Sequence, residues 1–172
     1  NIETIREVSV SGLSGDACVF MTGQLAIYQP LRWVESGLIL CTNGPVRIFA
    51  YVGPGDTQPG WFWGPFVSEG QSVKLFTRWT CDSSGYVMVS AGYYNQWGTR
   101  MLLVYGHNLG VPCQKPVVVN NVLEWNYSAP PPTLTAGRAQ GSQVCSSEYQ
   151  FMGWTCKPWT EGDTALAYEN FV

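Results

Sequence analysis

Charge is the first thing this chain is short of. Asp, Glu, Lys and Arg make up 12% of its 172 residues, about half the usual share. Only three lysines and six arginines are present, and Arg6, Arg32, Arg47, Lys74, Arg78 and Arg100 are scattered. With a net charge of −3 and no basic stripe, nucleic acid is excluded as the expected partner. Histidine is almost absent: His107 is the only one, so any Ser-His or Cys-His catalytic pair must use it. It sits in a Gly-flanked segment, Gly106–Gly110, read as a solvated turn. No C-x-x-C, G-x-S-x-G, HExxH or P-loop pattern occurs, which leaves no metal, cofactor or nucleotide site to expect. The longest apolar runs, such as Met101–Tyr105, are far too short to span a bilayer. The chain opens at Asn1 without Met or an apolar leader, the pattern expected of a processed product or of a piece of something longer.

Aromatic residues are what the chain has instead, at 14% with eight tryptophans, alongside 19 glycines and 11 prolines. No helical periodicity survives that much Gly and Pro. Short alternating runs are separated by turn signals every 8–12 residues, the spacing of an all-β sandwich or barrel. The fold class expected is therefore an antiparallel β-sandwich or barrel, jelly-roll or Ig-like, of about 8–11 strands with little or no helix. The organising stretch is Ser72–Tyr94, two strands joined by Asp82-Ser83-Ser84-Gly85. Asn43-Gly44 marks a second hairpin. Val46–Val52 is hydrophobic on both faces, which suggests a central strand. Residues 129–137 carry three consecutive prolines, expected to be an extended connection inside a single domain rather than a linker. Six cysteines allow fifteen pairings; disulfides of a secreted protein and buried thiols of a cytosol-assembled one are both open, and because a core of this size does not need bridges the balance leans to mostly free thiols.

Recognition fits the composition better than catalysis. Trp61, Phe62 and Trp63 lie between glycines in a Pro-rich segment, with Asp56, Thr57 and Gln58 just before them. Rings on a stiff loop make good anchors and good sugar platforms. One or two of them could equally fold inward, since adjacent side chains diverge. Tyr93, Tyr94, Asn95 and Trp97 form a second aromatic-polar cluster, expected to emerge beside Ser68-Glu69-Gly70 and to share a rim with the first. Trp79 and Trp125 read as core. The ligand-binding residues expected are thus Asp56, Gln58, Trp61, Phe62, Trp63, Tyr93, Tyr94, Asn95 and Trp97. Paired carboxylates drawn from Asp16, Glu35, Asp56, Glu69, Asp82 and Glu124 could flank a glycosidic bond about 5–9 Å apart, with Glu69 the best single acid. Thinly spread as they are, most read as surface groups, and no catalytic residue is expected. Asn126-Tyr127-Ser128 is a glycosylation sequon.

The lysine-poor, Trp/Tyr/Gly-rich strands of TRWTCDSSGYVMVSAGYYNQWGTRMLLVYG and VPCQKPVVVNNVLEWNY resemble the protruding domain of the coat proteins of small icosahedral RNA viruses. The resemblance implies a non-enzymatic β-sandwich displayed on a virion, dimeric or trimeric, contacting a host receptor or glycan, with no membrane insertion. A secreted carbohydrate-binding or lectin-like module is the alternative.

Overall fold

The computed structural model describes residues 1–54, 60–126, 133–148, 152–159 and 167–171. For 126, 133, 135, 136 and 167–171 it describes the backbone only. Among the described residues there are twelve strands and no helix. They are β1 (Ile2–Ser14), β2 (Cys18–Tyr28), β3 (Leu31–Cys41), β4 (Val46–Gly53), β5 (Trp61–Val67), β6 (Val73–Cys81), β7 (Tyr86–Tyr94), β8 (Arg100–Pro112), β9 (Val118–Asn126), β10 (Thr133–Ser146), β11 (Thr155–Pro158) and β12 (Ala167–Phe171). Two six-stranded sheets pack face to face as a β-sandwich, in the orders β11-β10-β1-β6-β7-β8 and β12-β9-β2-β3-β4-β5. All pairings are antiparallel except β9 with β12. The strand count exceeds that of an immunoglobulin-type sandwich or a jelly roll.

Alternation explains which side chains meet. Val19, Met21, Leu25 and Ile27 of β2 point inward with Val34, Leu38 and Leu40 of β3 and Ile48, Ala50 and Val52 of β4. They meet Val8 and Val10 of β1, Leu75 and Trp79 of β6, and Val87 and Val89 of β7. The Asn43-Gly44 hairpin forms as expected, with Asn43 at φ 58°. In the β6–β7 turn, Asp82 Oδ1 accepts from the Ser84 and Tyr86 amides, and Gly85 takes φ 86°.

Several expectations change. Residues 61–67 form the edge strand β5 rather than a loop, paired with β4 from Tyr51↔Trp61 to Val46↔Val67. His107 lies exposed within β8, opposite Val89, and not in a turn. The cysteines are bridged, not free: Cys18–Cys41, Cys81–Cys113 and Cys145–Cys156. Cys18 and Cys41 face each other in the β2–β3 register and Cys145 and Cys156 in the β10–β11 register, so sheet pairing itself brings the thiols together. Both pairs have Cα atoms 3.9 Å apart. Residues 129–132 of the Pro-rich segment and Tyr127-Ser128 of the sequon lie outside the described residues, and residues 133–137 open β10.

Cys81–Cys113 ties the end of β6 to the segment after β8 and closes the largest loop, with a sequence separation of 32. Replacing both residues by Ser is expected to lower the unfolding free energy by about 2–4 kcal/mol, read by denaturant titration. Alkylation of the denatured protein should label no cysteine before reduction and six after it.

Candidate functional site

The face of the β9-β2-β3-β4-β5 sheet turned away from the core carries an unusual row. In register across five strands stand Asn120, Gln24, Glu35, Tyr51 and Trp61. A strand places every second residue on one face, so neighbouring rows fall on the same side. One holds Ala26, Trp33 and Gly53; another holds Thr22, Gly37, Phe49 and Trp63; a third holds Glu124 with Phe20, Ile39, Arg47 and Phe66. Polar and acidic groups gather on β9, β2 and β3, and the aromatic rings gather on β4 and β5 together with Trp33 of β3 and Phe20 of β2.

At the acidic end, the Gln24 side-chain amide donates both ways, to Glu35 Oε2 at 2.7 Å and to Glu124 Oε1 at 3.0 Å. Glu35 and Glu124 are only 5% and 8% exposed, so two carboxyls are withdrawn from water around one amide nitrogen. Burial, reinforced by the charge of Glu124, pushes the Glu35 carboxyl up to about 8; the Gln24 hydrogen bond and the Arg6 charge act the other way and are outweighed. Two carboxyls so close do not both ionise readily, and at neutral pH Glu35 holds the proton.

Beside it lies an aromatic floor. Trp33 stacks on Tyr51 at 5.6 Å, Tyr51 meets Trp61 at 4.8 Å, and Trp61 lies parallel to Trp63 at 5.1 Å and 3°. Phe20 and Phe49 pack beneath, against Trp61. Two glycines make this packing possible: a Cβ at Gly53 would overlap the Trp33 ring, and one at Gly60 would overlap Tyr51. At the outer end the Arg47 guanidinium lies over both Trp63 and Phe66, while its Nε donates to the Gly64 carbonyl at 3.0 Å.

Of the residues singled out in the sequence, Trp61 and Trp63 face this floor, whereas Phe62 turns toward the core. Asp56 and Gln58 lie outside the described residues. Tyr93, Tyr94, Asn95 and Trp97 belong to a different place. They line a groove of about 570 Å³ with Gln71, Lys74 and the Val67 end of β5. Gln71 and Ser72, just after Ser68-Glu69-Gly70, line this groove with the 95–98 turn. The three rings do not share that rim, because β5 starts at Trp61 and carries its chain along the sheet before reaching Val67. Asn95 is spent on its own turn, its Oδ1 accepting from the Trp97 and Thr99 amides.

Glu69, the favoured single acid, instead caps the Gly12 amide at 2.6 Å in an exposed loop. Glu35 and Glu124 were among the candidate carboxylates, but Gln24 was not singled out. A neutral amide in an apolar strand carries no signature until its neighbours across the sheet are known. Trp79 and Trp125 are core, 1% and 8% exposed.

No family model and no curated protein matches the chain. Among solved structures, a scytalido-glutamic peptidase determined with a peptide-based transition state analogue is similar over 91% of this chain and 74% of its own, at 10% identity and a TM-score of 0.45. At that distance the likeness carries no argument about activity.

Glu35 also makes stability depend on pH in a defined direction. Its folded value lies above the unfolded one, so the folded state holds the extra proton between about pH 4.5 and about 8. The contribution is complete below about 4.5 and is lost as pH rises through about 8, falling by up to ~1.4 kcal/mol per pH unit. Thermal melts should show this slope in the native protein, and Glu35→Gln should flatten it. A slope that survives in Glu35→Gln would place its origin elsewhere.

Proposed function

We propose that this face is a hydrolytic site for acyl bonds, most simply the peptide bonds of an extended chain laid over the aromatic floor. The observation that carries the reading is a single amide held between two buried carboxyls, one of which burial pushes toward its protonated form. Glu124 takes a proton from water as the water oxygen bonds to the substrate carbonyl carbon. The Gln24 N–H, turned from Glu124 to the substrate, donates to the oxyanion that forms. Collapse breaks the C–N bond, and the proton on Glu124 passes to the leaving nitrogen. Neutral Glu35 keeps the Gln24 amide oriented throughout. Trp33, Tyr51, Trp61 and Trp63 offer ring faces to apolar side chains of the substrate.

This departs from the non-catalytic role that composition favours. Two closely placed carboxyls also suit a retaining glycosidase, where about 5–5.5 Å separates them. Here the Gln24 amide occupies the space between them, where the anomeric carbon would have to sit, and that favours acyl chemistry. Three disulfides fit a protein made in an oxidising compartment, which weighs toward secretion over a cytosolically assembled capsid.

Incubation with a peptide mixture from pH 2 to 8, alongside oligosaccharides, with products read by mass spectrometry, is the test. Peptide cleavage is expected, lowered about 10²–10³-fold in Gln24→Ala and about 10³–10⁴-fold in Glu124→Gln. Cleavage of sugars alone would move the site to glycoside chemistry, and undiminished cleavage in both variants would remove it.

Recognition of a glycan or receptor is our second reading, and it belongs to the other groove. Trp97 is 79% exposed at its edge, on a turn already ordered by Asn95. Loss of glycan-array binding in Trp97→Ala, with Trp63→Ala unaffected, is the outcome expected of that role.

A further inference from the structure

Behind the acid pair, on the core side of the same sheet, lies a buried cation. Arg6 of β1 is 0% exposed and crosses from one sheet to the other. Its Nη2 donates to the Ser36 carbonyl at 2.5 Å, to Ser36 Oγ at 3.0 Å and to the Gly23 carbonyl at 3.2 Å. Its Nη1 donates to Thr4 Oγ1 at 3.2 Å, and Thr4 and Thr77 hydroxyls bond each other at 2.5 Å. Gly23 and Ser36 each adjoin a site residue, Gln24 and Glu35, whose side chains leave by the opposite face. A Cβ at Gly23 would overlap the guanidinium. Among the described residues every hydrogen-bond partner of Arg6 is neutral, and Nε has none. A guanidinium stays charged in a protein, and a buried charge with no opposite charge nearby is strongly unfavourable.

We propose that Arg6 is the counter-charge of the acid pair. From behind the sheet it matches a single negative charge shared by Glu35 and Glu124, and it pins the two strands that carry Gln24 and Glu35. Arg6 is thus a positioning residue, acting through the carboxyls and touching no substrate. The mutual attraction of Arg6 and Glu35 is felt in both groups: it raises the proton affinity of the buried guanidinium and lowers that of Glu35, each against a larger effect of burial.

The other charges around the pair are placed differently. Arg47 of β4 shares the outer face but is held over Trp63 and Phe66. Tyr51 of β4 is stacked on Trp33. On β12, Glu169 stands in register with Glu124 and Tyr168 with Leu123. From β1 and β6, Glu3, Glu7, Lys74 and Arg78 alternate to the far face of the opposite sheet, where Glu3 pairs with Arg78 and with Arg100 of β8. Arg6 is the one cation between the sheets among the described residues.

The role rests on the acid pair being the working site, but its test reads the carboxyls directly and so is separable from hydrolysis. Glutamate side chains labelled with ¹³C are titrated by NMR in the native protein, Arg6→Met, Arg6→Gln and Arg6→Lys. With the cation removed in the first two, the Glu35 midpoint is expected to rise by about one pH unit, a tenfold gain in proton affinity. In Arg6→Lys, which keeps the charge, it should stay near the native value. If neither neutral variant folds, each is made with Glu124→Gln, which removes the matching anion, and folding should return. A native midpoint in folded Arg6→Met or Arg6→Gln overturns the proposal. So does an equal shift in Arg6→Lys, or failure of the double variants to fold.

Discussion

One sheet separates a buried cation from two buried carboxyls, and much of the molecule is arranged around that arrangement. Charges removed from water are tolerated only when they are matched and hydrogen-bonded. The polar layer formed by Thr4, Thr77, Gly23 and Ser36 supplies hydrogen bonds to Arg6 on the inside but no opposite charge, and Gln24 bridges the carboxyls on the outside. The buried apolar residues form one cluster around Val10, Met21 and Leu38, another around Leu25, Val34 and Trp79, and a smaller third of Ile5, Phe76 and Cys145.

The aromatic side of the face follows from strand order. β4 has apolar residues on both faces because one meets the core and the other carries Phe49 and Tyr51 into the ring floor. That double character was visible in the sequence and suggested a central strand. β4 is such an interior strand, paired with β3 on one side and with the edge strand β5 on the other. What makes it hydrophobic on both sides is the core on one face and the packed rings of Trp33, Tyr51, Phe49 and Trp61 on the other.

The sandwich, the Asn43-Gly44 hairpin and the Asp82–Gly85 turn were legible because alternation and turn chemistry are local signals. β5 was not, because Gly60, Gly64 and Pro65 mimic loop composition while their order is set by β4. The disulfides escaped for a similar reason: Cys18 and Cys41 meet only because β2 and β3 adopt one register out of several. The site was half legible. Glu35 and Glu124 stood among six candidate carboxylates, but their selection needs β2 to lie between β3 and β9, a pairing that joins residues 100 positions apart. Gln24 and Arg6 lay beyond reach, one being an uncharged residue in an apolar run and the other a charge expected at the surface.

The shared amide can be watched directly. In ¹⁵N–¹H spectra of the native protein, both Gln24 side-chain protons should exchange slowly with solvent and shift together in a single step near pH 8, following the Glu35 proton. Fast-exchanging protons with shifts indifferent to pH would mean that the amide does not bridge the two carboxyls, and the account of the site would fall with it.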